Sequence, residues 1–272
     1  MTFTHLEVHS HFTLLGATPS VAELTARARE DRLTHLALTD TNALYGAVAF
    51  ARACRAAEIQ PVIGMTLAVS EPDLSSPLPE KADSGPGQLV LLATGLTGYR
   101  SLCRLSSLIQ GSPEREALAA RGLGWDELAA HREGLICLSG GRRGWIERYL
   151  RAGDYAAAQL CAGRQAGIFE ESAALALELH DPEDEQIATE VVALGRRLGL
   201  SVVAVQPVYC LAPSDAPKLR LLAAMRANVR FDDSVADGPT GETQGGLAQP
   251  FQHRGHGNHP SGRAAVLGGR RR

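Results

Sequence analysis

Residues 35–69 read "HLALTDTNALYGAVAFARACRAAEIQPVIGMTLAV", which is a short apolar run, a helical pattern and a second apolar run. The first run ends at Asp40, and the second run, over 60–69, is apolar almost throughout. Strands that are apolar along their whole length are typical of parallel sheets covered on both faces, in which each crossover contains a helix. We therefore predict strands over 35–40 and 60–69, joined by a helix over about 43–57.

The same alternation continues along the chain. Before the quoted segment, Ser20 and Glu23 stand at the spacing of a capping box, which predicts the start of a helix. Seven apolar runs are predicted to be strands: Leu6–Val8, 35–40, 60–69, 88–94, 135–140, 174–180 and 201–206. Seven βα units favour an α/β barrel, with an open, doubly wound sheet as the alternative. In both folds a ligand binds at the C-terminal ends of the strands, so polar residues that follow an apolar run are candidate site residues.

Composition and charge exclude several classes of protein. The chain has 272 residues, 27 basic and 30 acidic side chains and a formal net charge of -3, which gives no strong field for a polyanion. The five cysteines are scattered in apolar surroundings and are predicted to be reduced. No run approaches the roughly 20 apolar residues that cross a bilayer. We therefore predict a cytoplasmic protein without membrane contact.

A change in character near residue 234 predicts a boundary. Residues 1–233 carry the strand and helix patterns, whereas 234–272 are rich in Gly, Arg and His and lack periodicity. We predict one folded domain over 1–233 and a disordered tail over 234–272. The tail histidines recur every three residues without Cys or carboxylate partners, so we interpret them as solvated rather than as metal ligands: His253, His256 and His259.

Several separate blocks carry a family resemblance. They are "FTHLEVHSHFTLLGA", "ALTDTNALYGAVAFARACRAAEIQPVIGMTLAV", "LVLLATGLTGYRSLCRLSS", "LICLSGG" and "SVVAVQPVYCLAPSDA". In order and spacing they resemble the PHP (polymerase and histidinol phosphatase) domain at the N-terminus of the bacterial DNA polymerase III alpha subunit, from Phe3 to about Asp233. The resemblance implies a distorted seven-stranded (βα)7 PHP barrel.

The resemblance also implies where metal ligands would stand. Metal-binding members hold a trinuclear cluster with about nine ligands, which neutralises phosphate and generates a hydroxide nucleophile. In the register of the family motif, the first ligand pair here is Glu7 and His9, not His9 and His11. Asp40 keeps the acid of the next motif. At the other ligand positions the expected donors are replaced: Gly16, Thr41, Thr66, Gln88, Gly141 and Pro207-Val208-Tyr209.

These replacements predict a degenerate metal site. Thr and Gln do not compensate the charge of a divalent cation, and Gly and Pro offer no side-chain donor. A trinuclear cluster is therefore not expected. Two alternatives stay open for Glu7, His9 and Asp40: they hold at most one divalent cation (Zn²⁺, Mn²⁺ or Mg²⁺), with His180 as a further ligand, or they only hydrogen-bond within the barrel mouth.

The resemblance implies a role in DNA replication. We predict a structural or partner-binding PHP domain of a DNA polymerase III alpha-type subunit. The expected partners are the polymerase body and replisome subunits such as a proofreading exonuclease, with DNA reached through the full-length polymerase. We also expect the chain to be a truncated or frame-shifted fragment, since the polymerase body does not follow. The alternatives are a metal-dependent phosphoesterase or 3′ to 5′ exonuclease, and a nucleic-acid-binding module that uses Arg142, Arg143 and 270–272.

Overall fold

A six-stranded mixed sheet with helices packed around it forms the fold of the part of the chain that the computed structural model describes, residues 3–73, 85–182 and 184–230. The strands follow the order of the chain: β1 His35–Leu38, β2 Gln60–Val69, β3 Gly87–Ala93, β4 Leu135–Leu138, β5 Ala173–Leu177 and β6 Ser201–Ala204. The helices of the same residues are α1 Val21–Glu30, α2 Ala47–Ala56, α3 Leu96–Gln110, α4 Arg115–Arg121, α5 Trp125–Ala130, α6 Trp145–Arg151, α7 Tyr155–Phe169, α8 Asp184–Leu198 and α9 Ala216–Ala227.

The directions of the strands correct one prediction. Strand β1 is parallel to β2, and β4, β5 and β6 are parallel to one another, but β3 is antiparallel to both β2 and β4. The prediction of parallel strands throughout was therefore wrong at β3. An apolar run indicates burial on both faces, and β3 shows that an antiparallel strand covered on both faces has the same pattern. The described parts of the β2–β3 connection, 70–73 and 85–86, contain no helix, which suits an antiparallel pair.

The first predicted strand, Leu6–Val8, is not one of the six strands, so the predicted count of seven is not confirmed. Within the described residues this segment has an isolated parallel bridge between Val8 and Val208. It nevertheless hydrogen-bonds on two sides. The Thr39 N–H donates to the Val8 carbonyl at 2.8 Å, and the Val208 N–H donates to the Glu7 carbonyl at 3.0 Å. The segment thus lies between the end of β1 and the chain that follows β6.

Both faces of the sheet are buried. On the helix side, alternate residues of β3 such as Leu89 and Leu91 join a large apolar cluster with α3, α6 and α7. On the other side, Val90 and Leu92 pack with residues of β4, β5 and the chain after β6, and Leu6 packs against the same cluster. Because this second cluster collects residues from across the sheet, the sheet is curled around it.

Local signals explain where the first helices begin. The predicted capping box is present at α1: Ser20 Oγ accepts from the Glu23 N–H at 3.2 Å, and Glu23 Oε2 accepts from the Ser20 N–H at 2.7 Å. Helix α2 begins at Ala47, four residues later than predicted. Its start is delayed because Asn42, with φ of 56°, turns the chain and its side chain accepts from the Ala68 N–H at 2.9 Å.

Three further predictions concern the cysteines, membrane-spanning segments and the tail. All five cysteines are free thiols. None of the helices in the described residues is long and apolar enough to cross a membrane. The predicted tail, 234–272, and the last three residues of the predicted domain lie outside the described residues.

Candidate functional site

We call the end of the curled sheet where Asp40 and the other residues that follow the strands lie its mouth. The carboxylate of Asp40 holds the chain segments of this mouth together. Asp40 follows β1 and is 2% exposed. Its Oδ1 accepts from the Ser10 N–H at 2.7 Å and from the Thr13 hydroxyl at 2.8 Å, and its Oδ2 accepts from the Ser10 hydroxyl at 2.8 Å. A carboxylate offers about four acceptor sites, so Ser10 and Thr13 occupy most of them. These bonds hold the segment after His9 against the end of β1.

The hydrogen bonds of Thr13 define the tautomer of His9. Thr13 Oγ1 donates to Asp40 and accepts from the Thr41 N–H at 3.1 Å. His9 Nδ1 lies 3.1 Å from the same oxygen, so this nitrogen must be the donor of that contact. The opposite nitrogen, Nε2, then carries a lone pair, and it lies 3.4 Å from Glu7 Oε1.

Glu7 and His9 form a buried pair in which both side chains favour their neutral forms. Burial raises the pKa of Glu7 to about 7, and the nearby Arg143 charge opposes this shift. Burial lowers the pKa of His9 to about 3. Although the two side chains lie close enough for an ion pair, the imidazole is therefore neutral near pH 7. Glu7 Oε2 is buried without a hydrogen-bond partner among the described residues.

Tyr209 connects this pair to a positive charge. Its ring stacks on His9 with centroids 4.3 Å apart and planes 7° from parallel, and its hydroxyl lies 3.5 Å from Glu7 Oε1. The Arg143 guanidinium lies over the same ring, 5.0 Å from its centroid. Burial raises the pKa of Tyr209, so the phenol stays protonated and donates to Glu7. One aromatic ring therefore joins the imidazole, a carboxyl group and a cation.

A second carboxylate and imidazole follow β5. His180 Nε2 lies 2.8 Å from Glu178 Oε2, and both side chains are about 5% exposed. The hydrogen bond to Glu178 raises the pKa of His180, and burial raises the pKa of Glu178. Gly141 packs directly on this carboxylate, because a Cβ at Gly141 would stand 1.6 Å from Glu178 Oε1. The resemblance places a Cys ligand at this glycine, and the Glu178 carboxylate fills the space that a side chain would need.

The structure groups the sequence-predicted site residues differently from a ligand set. It brings Glu7 and His9 together and engages Asp40 with Ser10 and Thr13. Within residues 3–73, 85–182 and 184–230, no group of three or more His, Cys, Asp or Glu side chains is arranged to hold a metal ion. The prediction of a degenerate metal site stays a prediction. A single ion at Glu7, His9 and Asp40 stays a prediction.

Sequence reasoning missed three residues of the mouth. The predicted site did not include Glu178, Tyr209 was predicted only as part of a segment that replaces a ligand pair, and Arg143 was predicted only as part of a nucleic-acid surface. Arg143 and Tyr209 follow predicted strands and Glu178 lies near the end of one, so the rule that ligands bind at strand ends could have found them. The neighbouring Arg142 is held by an ion pair with Asp184 at 3.1 Å.

The PHP domain family matches residues 5–182, and the chain belongs to this family. The DNA polymerase III alpha subunit of Bacillus subtilis is 31% identical over 237 residues, which cover 87% of this chain and 20% of that protein. An error-prone DNA polymerase of Symbiobacterium thermophilum is 32% identical over 255 residues, which cover 88% of this chain and 22% of that protein. The chain thus spans about a fifth of the length of these relatives.

One solved structure has a lower sequence identity to this chain. An amidohydrolase from Chromobacterium violaceum aligns with a TM-score of 0.48 and 13% identity, covering 77% of this chain and 88% of that one.

Asp40 variants test the hydrogen-bond network. Asp40→Ala leaves the Ser10 N–H and two hydroxyls without their acceptor, so we expect a loss of about 2–4 kcal/mol in the free energy of unfolding. Asp40→Asn keeps one acceptor oxygen and is expected to lose less. Urea unfolding monitored by circular dichroism measures both, with and without EDTA. Asp126→Asn, at a side chain that is 99% exposed, is the control. Wild-type stability of Asp40→Ala, or a loss seen only without EDTA, would contradict the network.

Glu7 predicts a dependence of stability on pH. Its folded pKa of about 7 lies above its unfolded value, so its contribution is full at low pH and is lost as the pH rises through 7. Relative to Glu7→Gln, we expect wild-type stability to fall by about 3 kcal/mol between about pH 4 and pH 8. Urea titrations at several pH values measure this difference, with the exposed Glu30→Gln as the control. A constant difference between wild type and Glu7→Gln would show that Glu7 does not titrate in this way.

Proposed function

We propose that this chain is the PHP domain of a DNA polymerase III alpha-type subunit and acts there as a structural and partner-binding domain rather than as a metal-dependent hydrolase. The observation that carries the proposal is the engagement of Asp40. Its carboxylate accepts three hydrogen bonds from Ser10 and Thr13, which leaves only about one of its roughly four acceptor sites for a metal ion. The similarity to two DNA polymerases over more than four fifths of the chain supports the role in replication.

The ligands that phosphoester cleavage requires support the proposal that this site has no hydrolytic activity. Metal-dependent cleavage needs closely spaced cations that neutralise the phosphate and activate water. Such cations need several carboxylate or imidazole donors that converge. Thr66 and Gln88 stand at two ligand positions of the family, and each keeps a buried oxygen without a hydrogen-bond partner among the described residues. Neutral oxygens of this kind do not balance the charge of a metal cluster.

The proposed domain spans residues 1–233, with the tail over 234–272 as a separate segment. The contacts of the segment around Val8 support a barrel of the family type. This segment hydrogen-bonds to the end of β1 on one side and to Val208 on the other, as a seventh strand would. In this proposal the barrel mouth is closed by short hydrogen bonds rather than by a long strand.

Exposed apolar side chains beside the mouth support a partner-binding role. Leu14 is 75% exposed and Tyr45 is 57% exposed, and the ring of Phe12 lies 6.4 Å from that of Tyr45. Apolar surface of this kind is a common feature of protein interfaces. The proposed partners are the polymerase body and replisome subunits such as a proofreading exonuclease, with DNA reached through the full-length polymerase.

A metal-dependent phosphoesterase or 3′ to 5′ exonuclease is the second candidate. Two atoms favour it: the partnerless Glu7 Oε2 and the lone pair of His9 Nε2 lie in the same buried site. Both atoms can act as ligands of a divalent cation. If one ion binds there, these residues would hold it and the ion would polarise a phosphate.

Metal content and hydrolysis separate the two candidates. For protein purified without chelator and dialysed against Zn²⁺ or Mn²⁺, we expect elemental analysis to find far less than one metal ion per chain. We also expect no release of nucleotides from single-stranded DNA labelled at its 3′ end beyond that of the His9→Ala variant. His35→Ala, at an exposed histidine, is the control. Stoichiometric metal and hydrolysis that are both lost in His9→Ala would contradict the structural role.

A further inference from the structure

We infer that a cavity on the outer side of α3 binds a small organic acid, whose carboxylate contacts Arg104 and whose short apolar chain lies against Leu108. The cavity has a volume of about 380 Å³ and is lined by residues of α3 and by the residue that ends α5. We call it the α3 cavity. Because none of its lining residues belongs to the mouth, this binding site is separate from the proposed role in a polymerase.

The two faces of α3 have different surroundings. One face is buried in the large apolar cluster through residues such as Leu102, Leu105 and Ile109. The residues that line the cavity lie on the opposite face of the helix, and they are Cys103, Arg104, Ser107 and Leu108. Their positions are exposed or half-buried. This face of α3 is therefore open to a ligand.

The fifth lining residue, His131, is held beside α3 by the loop that it begins. His131 is the residue that ends α5. Two contacts hold the following residues on α3: Ser101 Oγ donates to the Glu133 carbonyl at 2.8 Å, and Gly98 packs so closely that a Cβ there would overlap the Gly134 carbonyl oxygen. The wall of the α3 cavity thus joins two elements whose relative position is fixed.

Three polar side chains of the α3 cavity have no partner among the described residues. Within residues 3–73, 85–182 and 184–230, Arg104 makes no ion pair, and neither the Ser107 hydroxyl nor the His131 ring makes a hydrogen bond. All three side chains can donate hydrogen bonds, and the guanidinium adds a permanent positive charge. None of the five lining residues is acidic. A site of this composition favours an anion that accepts several hydrogen bonds.

The single charge and the apolar wall favour a carboxylate on a short chain. A guanidinium binds a carboxylate through two parallel hydrogen bonds, and one guanidinium balances its single charge but only part of the charge of a phosphate dianion. Leu108 and the Cys103 thiol add apolar surface beside Arg104. A volume of about 380 Å³ is near the lower end of the range for small-molecule sites. The α3 cavity therefore suits a small molecule better than a peptide.

Titration of the full chain with butyrate tests the inference. Changes in the amide signals of residues 103–108 and of His131 are followed by NMR for wild type, Arg104→Gln and Arg100→Gln. We expect saturable binding that Arg104→Gln weakens at least about tenfold, because charge-assisted hydrogen bonds are lost. Arg100→Gln is the matched control, since Arg100 is exposed one turn away on the same helix and does not line the cavity. It is expected to bind butyrate as the wild type does.

Acetate and inorganic phosphate test the class of ligand. We expect butyrate to bind at least about threefold more tightly than acetate, because its two additional methylene groups lie against Leu108. Inorganic phosphate is expected to bind more weakly than butyrate. Because Arg104 is exposed, the circular dichroism spectrum of Arg104→Gln is expected to match that of the wild type.

Three results would overturn the inference. The first is a titration with butyrate in which these signals do not saturate. The second is an equal affinity for butyrate in Arg104→Gln and Arg100→Gln, which would show that Arg104 does not bind the carboxylate. The third is binding of acetate or phosphate as tight as that of butyrate. Each of them leaves the proposed function intact, because that proposal depends on the mouth and not on the α3 cavity.

Discussion

The structure of the mouth depends on the three hydrogen bonds that the Asp40 carboxylate accepts from Ser10 and Thr13. These bonds fix the turn that follows His9 against the end of β1. Thr13, once oriented by Asp40, determines which nitrogen of His9 carries the proton. The lone pair of His9 then faces Glu7, whose carboxyl group lies beside Tyr209. An acid that serves as a metal ligand in the resemblance thus acts here as the acceptor that positions its neighbours.

The curled sheet brings these residues together because they all follow the ends of its parallel elements. Asp40 follows β1, Arg143 follows β4 and Glu178 follows β5. Tyr209 lies in the segment after β6. The segment around Val8 lies between the first and the last of these elements. Burial favours the neutral forms of Glu7, Glu178 and His9 at the same time. Buried polar groups need hydrogen-bond partners, and the side chains of Ser10, Thr13 and Tyr209 supply several of them.

Sequence reasoning predicted the parts of the fold that local patterns determine. The capping box of Ser20 and Glu23 and the strand over Gln60–Val69 are both present, because each depends on residues close in the chain. The direction of β3 could not be predicted from its apolar run. Among the site residues, the proximity of Glu7 and His9 follows from their spacing of two along an extended segment. The partners of Asp40 and the place of Arg143 depend on tertiary contacts, so they could not be predicted from the sequence.

Anomalous X-ray diffraction tests the central claim most directly, namely that the hydrogen bonds of Asp40, and not metal ions, hold the mouth together. Crystals grown with Zn²⁺ or Mn²⁺ would be measured at the absorption edge of each metal. We predict no anomalous peak beside Glu7 and His9, with Asp40 on Ser10 and Thr13 and with Arg143 over Tyr209. A strong peak coordinated by Glu7 and His9, with Asp40 turned away from Ser10 toward the metal, would contradict the account.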